Sequence, residues 1–147
     1  MRRYVLDASV IAKWHFREEF GDLAYSLLVS ARAGKCQIVA PDLVLYEFAS
    51  IVSKKLRAGM ISAEDGQDIL LKFPLAPLGL LPAVDFAPSA LEAARETGAT
   101  YYDSVYLAVA RATKATLVTA DRELVAQVRS TPLAKSVLSL ADLGSDL

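Results

Sequence analysis

Four carboxylates in this chain could do chemistry together: Asp7, Glu47, Asp103 and Asp121. Three of them stand where an apolar run gives way to a helix-like one, or at a helix start. They lie in Tyr-Val-Leu-Asp-Ala-Ser at 4–9, Thr-Tyr-Tyr-Asp-Ser-Val at 100–105 and Leu-Val-Thr-Ala-Asp-Arg at 117–122. Glu47 falls one turn into a helical pattern, on a stripe with Val44 and Ile51. Four carboxylates brought together repel one another unless protons or a divalent cation intervene. The donors are all oxygen, with no Cys or second His close by, which suits Mg²⁺ or Mn²⁺ rather than zinc. Ions held in this way support phosphodiester hydrolysis, in which water attacks in line and charge grows on the phosphate and the leaving oxygen.

Each acid also has a purely structural reading. Asp7 precedes Ala8-Ser9 and can cap a helix beginning there. Thr100 and Asp103 form a T-x-x-D arrangement close to a capping box. Asp121 can cap or complement the dipole of the last helix. Glu47 can pair with Lys54 or Lys55. Juxtaposition of the four is what separates the two readings, and it depends on the elements that carry them.

Short, largely apolar strand-like runs occur at 3–6, 37–40, 78–81, 116–119 and 136–140. They do not alternate, as expected of strands covered on both faces. Helical patterns fill the gaps. Residues 42–58 place Leu45, Phe48, Ala49, Val52 and Leu56 on one face, with Gly59 closing the segment. Residues 88–97 open with Pro88 and stop at Gly98. Helices are expected too at 8–15, 21–33, 62–73, 101–113 and 121–129. Pro74, Pro77 and Pro82 make 74–83 a loop around a short strand. This alternation predicts a three-layer α/β/α sandwich with a central parallel sheet, as one domain over 1–147. A helix over 101–112 runs about 18 Å at ~1.5 Å per residue, and the next strand returns most of that distance. Asp103 and Asp121 therefore end on one side. In a parallel sheet all strands end there, which brings in Asp7, and Glu47 falls within about 8 Å of the same edge.

The four segments together resemble a PIN-domain ribonuclease. They are Asp-Ala-Ser-Val-Ile-Ala-Lys-Trp from Asp7, Leu-Val-Leu-Tyr-Glu-Phe-Ala around Glu47, Thr-Tyr-Tyr-Asp-Ser-Val-Tyr-Leu-Ala-Val-Ala around Asp103 and Leu-Val-Thr-Ala-Asp-Arg-Glu-Leu around Asp121. The likeness covers nearly the whole chain and is greatest to VapC-type toxins of toxin–antitoxin pairs. It implies that the four acids hold one or two Mg²⁺ or Mn²⁺ ions, with Ser9 and Thr119 supporting the site. Asp7 is assigned the centre of the metal site, Asp103 and Asp121 further ligation, and Glu47 a second-site or water-orienting role. The resemblance further implies an RNA substrate, a small antitoxin partner that covers the acidic groove, and a homodimer. An Arg from that partner could pair with the carboxylates and displace the metal, because its planar fork matches their geometry.

Composition limits the alternatives. At 147 residues with 54% hydrophobic content, the chain can bury a sizeable core. No apolar run nears the roughly 20 residues of a membrane span, and Arg2-Arg3 leads into a strand-like run rather than a signal peptide. The single cysteine, Cys36, cannot form an internal disulfide and reads as a structural residue at a strand entry, so a reducing, cytoplasmic setting is expected. Setting the four acids aside turns the net charge of −1 into +3, so nucleic-acid contact depends on a local patch. Lys13 and Arg122 are the foremost phosphate candidates, while Lys54, Lys55 and Arg57 read first as a solvated helix face. His15 reads as a helix-surface or partly buried residue, and Tyr101, Tyr102 and Tyr106 as packing residues before base-stacking ones.

Rival readings remain. A phosphohydrolase with an aspartyl nucleophile often carries D-x-D after its first strand, and this chain has Asp7-Ala8-Ser9. A receiver domain needs an acceptor Asp ending a middle strand, where 78–82 offers Leu-Gly-Leu-Leu-Pro. A non-catalytic, metal-free interaction module would use the acids only as caps and bind no divalent ion.

Overall fold

The computed structural model describes residues 1–145. Among these residues five strands, β1 (Arg2–Leu6), β2 (Cys36–Pro41), β3 (Gly79–Leu81), β4 (Thr116–Thr119) and β5 (Val137–Ser139), form one sheet in the order β3-β2-β1-β4-β5. Every pairing is parallel. Seven helices of the described residues flank it: α1 (Ala8–Ile11), α2 (Gly21–Arg32), α3 (Leu43–Arg57), α4 (Ala63–Lys72), α5 (Ala87–Thr97), α6 (Tyr101–Thr113) and α7 (Arg122–Val128). The expected α/β/α sandwich is the observed fold.

The strand order explains where ligands can enter. From β1 the chain steps outward through β2 to β3 on one side, then returns to β4 and β5 on the other. Connections leaving β1 and β4 therefore diverge and open a crevice at the carboxyl ends of these two strands, where open α/β sheets take their ligands. β1 is held on both flanks, Val5 opposite Val39 and Leu6 opposite Val118. Its Tyr4, Val5 and Leu6 are buried, which fits a central strand covered by helices on both faces.

Helix α3 differs from its sequence reading in one respect. Val44, Phe48 and Val52 are buried, whereas Leu45 is half-buried and Leu56 is 41% exposed. The apolar stripe is rotated toward Val44, and burying those three side chains stabilises the docked helix by about 1.5–3 kcal/mol each. Since Glu47 lies three residues after Val44, the rotation carries it to the boundary between core and crevice. The first helix is also shorter than expected: α1 ends at Ile11 and a 3₁₀ turn continues over Ala12–Trp14. Asp121 precedes α7 as its cap. The proline-rich stretch forms a 3₁₀ turn at Phe73–Leu75 and then β3. Gly98 ends α5 at a φ of 74°, a conformation that disfavours side chains with a Cβ. Cys36 is the buried first residue of β2, as a structural cysteine should be.

Candidate active site

Asp7 emerges from the carboxyl end of β1 and caps α1. Its Oδ1 accepts from the backbone N–H groups of Ser9 (3.1 Å) and Val10 (3.3 Å) and from the Ser9 hydroxyl (2.5 Å). Its Oδ2 accepts from the Thr119 hydroxyl at 2.5 Å. Three donors exhaust Oδ1, while Oδ2 with one donor keeps acceptor capacity. Capping and a further role are thus divided between the two oxygens.

The two hydroxyls that serve Asp7 also tie β1 to β4. Ser9 Oγ accepts the Ala120 N–H at 3.4 Å, and Thr119 Oγ1 accepts the Asp121 N–H at 3.0 Å. Thr119 is fully buried, so its hydroxyl needs these partners. Asp121 caps α7, accepting from the N–H groups of Glu123 (2.9 Å) and Leu124 (3.3 Å). Asp103, in the first turn of α6, donates its N–H to the Thr100 hydroxyl at 3.2 Å, as the T-x-x-D spacing predicts. Glu47 accepts a hydrogen bond from the Tyr106 hydroxyl. The alternative reading of Glu47 as an ion-pair partner of Lys54 or Lys55 finds no such pair among the described residues, and Lys55 pairs with Glu18 at 3.2 Å.

All four acids line one cavity of about 280 Å³, together with Ser9, Ser50, Lys54 and Tyr106. Electrostatics register the crowding. Burial raises the Asp7 carboxyl above its ordinary value, and the Asp103 charge adds to this against the opposing hydrogen bonds. Glu47 is raised by burial and by the charges of Asp7 and Asp103. Asp103 is raised by burial and by Asp121. Tyr106 is pushed far above the usual phenol range by burial and by Glu47, so it stays a donor. Among the described residues, no three acidic, His or Cys side chains stand close enough to hold a metal by direct contact alone. The donor set still fits a hard cation. It is all oxygen, its mutual repulsion is relieved by positive charge, and Mg²⁺ characteristically keeps several waters between itself and part of its carboxylate shell.

The other side chains singled out by type lie around the acids or away from them. Lys13 binds Glu18 at 3.3 Å and lies beside the acidic cavity instead of in it. Arg122 is exposed and forms no ion pair among the described residues. His15 packs on Phe48, ring centroids 5.1 Å apart, away from the acids. Tyr106 is buried, in keeping with a packing role, whereas Tyr101 and Tyr102 are 42% and 61% exposed. Sequence reading passed over the Tyr106 hydrogen bond to Glu47. The signal was its position three residues after Asp103, on the same face of α6.

Comparison with known proteins bears on the family and the fold. Residues 4–129 match the PIN domain family. No curated protein matches the chain significantly. Among solved structures, PAE2754 from Pyrobaculum aerophilum aligns at 26% identity and a TM-score of 0.66, covering 99% of this chain and 96% of its own. VapBC2 from Rickettsia felis, bound to a DNA fragment from its promoter, aligns at 19% identity and a TM-score of 0.62, covering 93% and 98%. VapC20 from Mycobacterium tuberculosis, a Sarcin-Ricin loop cleaving toxin, aligns at 14% identity and a TM-score of 0.62, covering 84% and 93%. No helix among the described residues is long and apolar enough to cross a membrane. Running from within β1 past the end of α7, the family match takes in all four acids and both supporting hydroxyls, and the chain belongs to the PIN-domain family.

Proposed function

We propose that this protein is a divalent-metal-dependent endoribonuclease, with Asp7, Glu47, Asp103 and Asp121 as its catalytic and metal-holding residues. The observation that carries the reading is one cavity at the β1/β4 crevice lined by all four carboxylates, three of them held above their ordinary protonation range. Mg²⁺ or Mn²⁺ in this cavity would supply Lewis-acid stabilisation of the scissile phosphate and a water activated for attack. Asp7 Oδ2 would be the central ligand, since Thr119 fixes it and its neighbour oxygen is committed to Ser9 and Val10. Asp103, in the first turn of α6, and Asp121, just after β4, would add further ligation and negative charge. Glu47, held by Tyr106, orients the attacking water or receives its proton. Ser9 and Thr119 act through Asp7 as positioning residues.

The reading extends to a toxin of a toxin–antitoxin pair. It is supported by similarity to a structure described as a toxin-antitoxin complex, from Klebsiella pneumoniae, and to the toxin from Mycobacterium tuberculosis that cleaves the Sarcin-Ricin loop. On this reading the chain acts in the cytoplasm as a homodimer, and a small antitoxin places an Arg among the carboxylates, whose geometry its planar fork matches. A test is cleavage of single-stranded RNA in Mn²⁺ by purified protein freed of inhibitor. Wild type should cut, EDTA should stop it, and Asp103→Asn should lower the rate by orders of magnitude with its folding intact. Expression of wild type alone should arrest growth, and Asp103→Asn should be tolerated. RNA left uncut by wild type would refute the nuclease. Equal harmlessness of both versions would refute the toxin and leave a housekeeping nuclease.

A further inference from the structure

Beside the acidic cavity lies a second cleft of about 290 Å³, sharing Ser9, Ile51 and Lys54 with it and lined also by Lys13, Glu18 and Lys55. Its charges are arranged unusually. The Lys13 and Lys55 ammonium groups stand 3.3 and 3.2 Å from the two oxygens of one carboxylate, Glu18. The Lys13 and Lys55 side chains are only 9% and 17% exposed. Lys55 also lies over the Phe16 ring, 4.6 Å from its centroid. Two poorly hydrated ammonium groups share a single counter-charge, and Lys54 adds a third cation with no ion pair among the described residues. Within this cleft three cations face one carboxylate, so an anion seated there would meet a local excess of positive charge, with Lys54 shared with the acidic cavity.

We infer that this lysine cleft is a phosphate subsite, which receives the RNA backbone on one side of the bond cut in the adjoining acidic cavity. The inference rests on the ribonuclease reading above and assigns a path for the substrate that the acids alone do not define. Glu18 keeps the Lys13 and Lys55 ammonium groups beside each other, and each ammonium has donors beyond the one it gives to Glu18. Lys54 reaches both clefts and bridges the two phosphates. A strand crossing this boundary places its scissile phosphate over the carboxylates, where a metal offsets the repulsion, and its neighbour over the lysines. A cleft of this kind positions the strand without reading its bases.

The test uses binding, so that it does not depend on cleavage. A mixed-sequence single-stranded 20-mer RNA is titrated by fluorescence anisotropy against the Asp7→Asn protein over a range of NaCl concentrations. Lys54→Met and Lys55→Met, each added to Asp7→Asn, should weaken binding several-fold and flatten the slope of log K against log salt by about 0.7 for each phosphate no longer neutralised. Glu18→Gln should tighten binding, whereas a merely structural ion pair would give destabilisation without that gain. Unchanged affinity and slope in Lys54→Met, an exposed position where folding is safe, would overturn the subsite. So would displacement of the RNA by an oligoglutamate of equal charge as readily as by unlabelled RNA. In either case cleavage by wild type would leave the nuclease standing. Failure of wild type to cleave, with the lysine effects intact, would refute the catalytic reading and keep the subsite.

Discussion

Replacing Thr119 by Val removes one hydroxyl from a fully buried position and nearly conserves its shape. That hydroxyl donates to Asp7 Oδ2 and accepts from the Asp121 N–H. Losing a donor to a buried carboxylate costs about 1.5–3 kcal/mol, and the orphaned N–H costs about 1 kcal/mol where water cannot reach it. Asp121 is exposed, so water recovers part of the second loss, and burial of the new methyl offsets about 0.8 kcal/mol. The net destabilisation is about 2 kcal/mol, which at this chain length lowers Tm by roughly 4–8 °C. A second effect is separable from the first. With Oδ2 no longer fixed, Mn²⁺ affinity should fall about 10–100-fold, as for other groups that orient metal-binding side chains. Scanning calorimetry and titration of Mn²⁺ into folded protein measure the two effects, and Thr119→Ser, which keeps the hydroxyl, should restore most of both. A Tm within about 1 °C of wild type, or Mn²⁺ affinity within about twofold of it, would show that the Thr119–Asp7 bond does not organise the site.

Tyr106→Phe leaves Glu47 without its donor. If that hydrogen bond orients the carboxylate for reaction, kcat should drop about tenfold, corresponding to about 1.4 kcal/mol, with KM for RNA little changed. A loss as large as that of Glu47→Gln would instead mean that Tyr106 touches the reacting atoms. Asp7, Glu47 and Asp103 are all raised above their ordinary values, 3.8 for Asp and 4.5 for Glu. In the metal-free native state they therefore hold protons that the unfolded chain has released, and their contribution to stability falls as pH rises through that window. As pH rises above about 4, metal-free Asp7→Asn should lose less stability than wild type in urea denaturation, and parallel profiles would contradict this. Ser104 is fully buried, and its hydroxyl has no hydrogen-bond partner among the described residues. Ser104→Ala should raise stability by about 1 kcal/mol in thermal melts, and a decrease of that size would show that the hydroxyl has a role.

Much of the architecture is local information. Strand positions follow from short apolar runs, since a strand covered on both faces cannot alternate. Helix limits follow from Gly98, Gly59 and the capping residues, which act within a turn or two of themselves. The parallel sheet follows from the alternation of the two, and with it the convergence of Asp7, Asp103 and Asp121 at one edge. Capping by Asp7 and Asp121 was legible too, because it requires only the next two or three N–H groups.

Tertiary structure decided what depends on the angle of one element against another. The rotation of α3 chose Val44 over Leu45 for the core and so set Glu47 at the cavity wall, a matter of packing that helical periodicity leaves open by one residue. Tyr106 meets Glu47 across 59 positions of chain, and Thr119 meets Asp7 across 112. No spacing rule reaches that far. The sharing of Glu18 by Lys13 and Lys55 likewise needed the turn after α1 to be laid against α3, a packing that sequence order does not encode. The sequence by itself thus determined which residue types could do chemistry and on which edge they would gather. Packing alone decided which oxygens remain available to a cation and which lysines stand beside them, because both depend on side chains meeting between elements far apart in the chain.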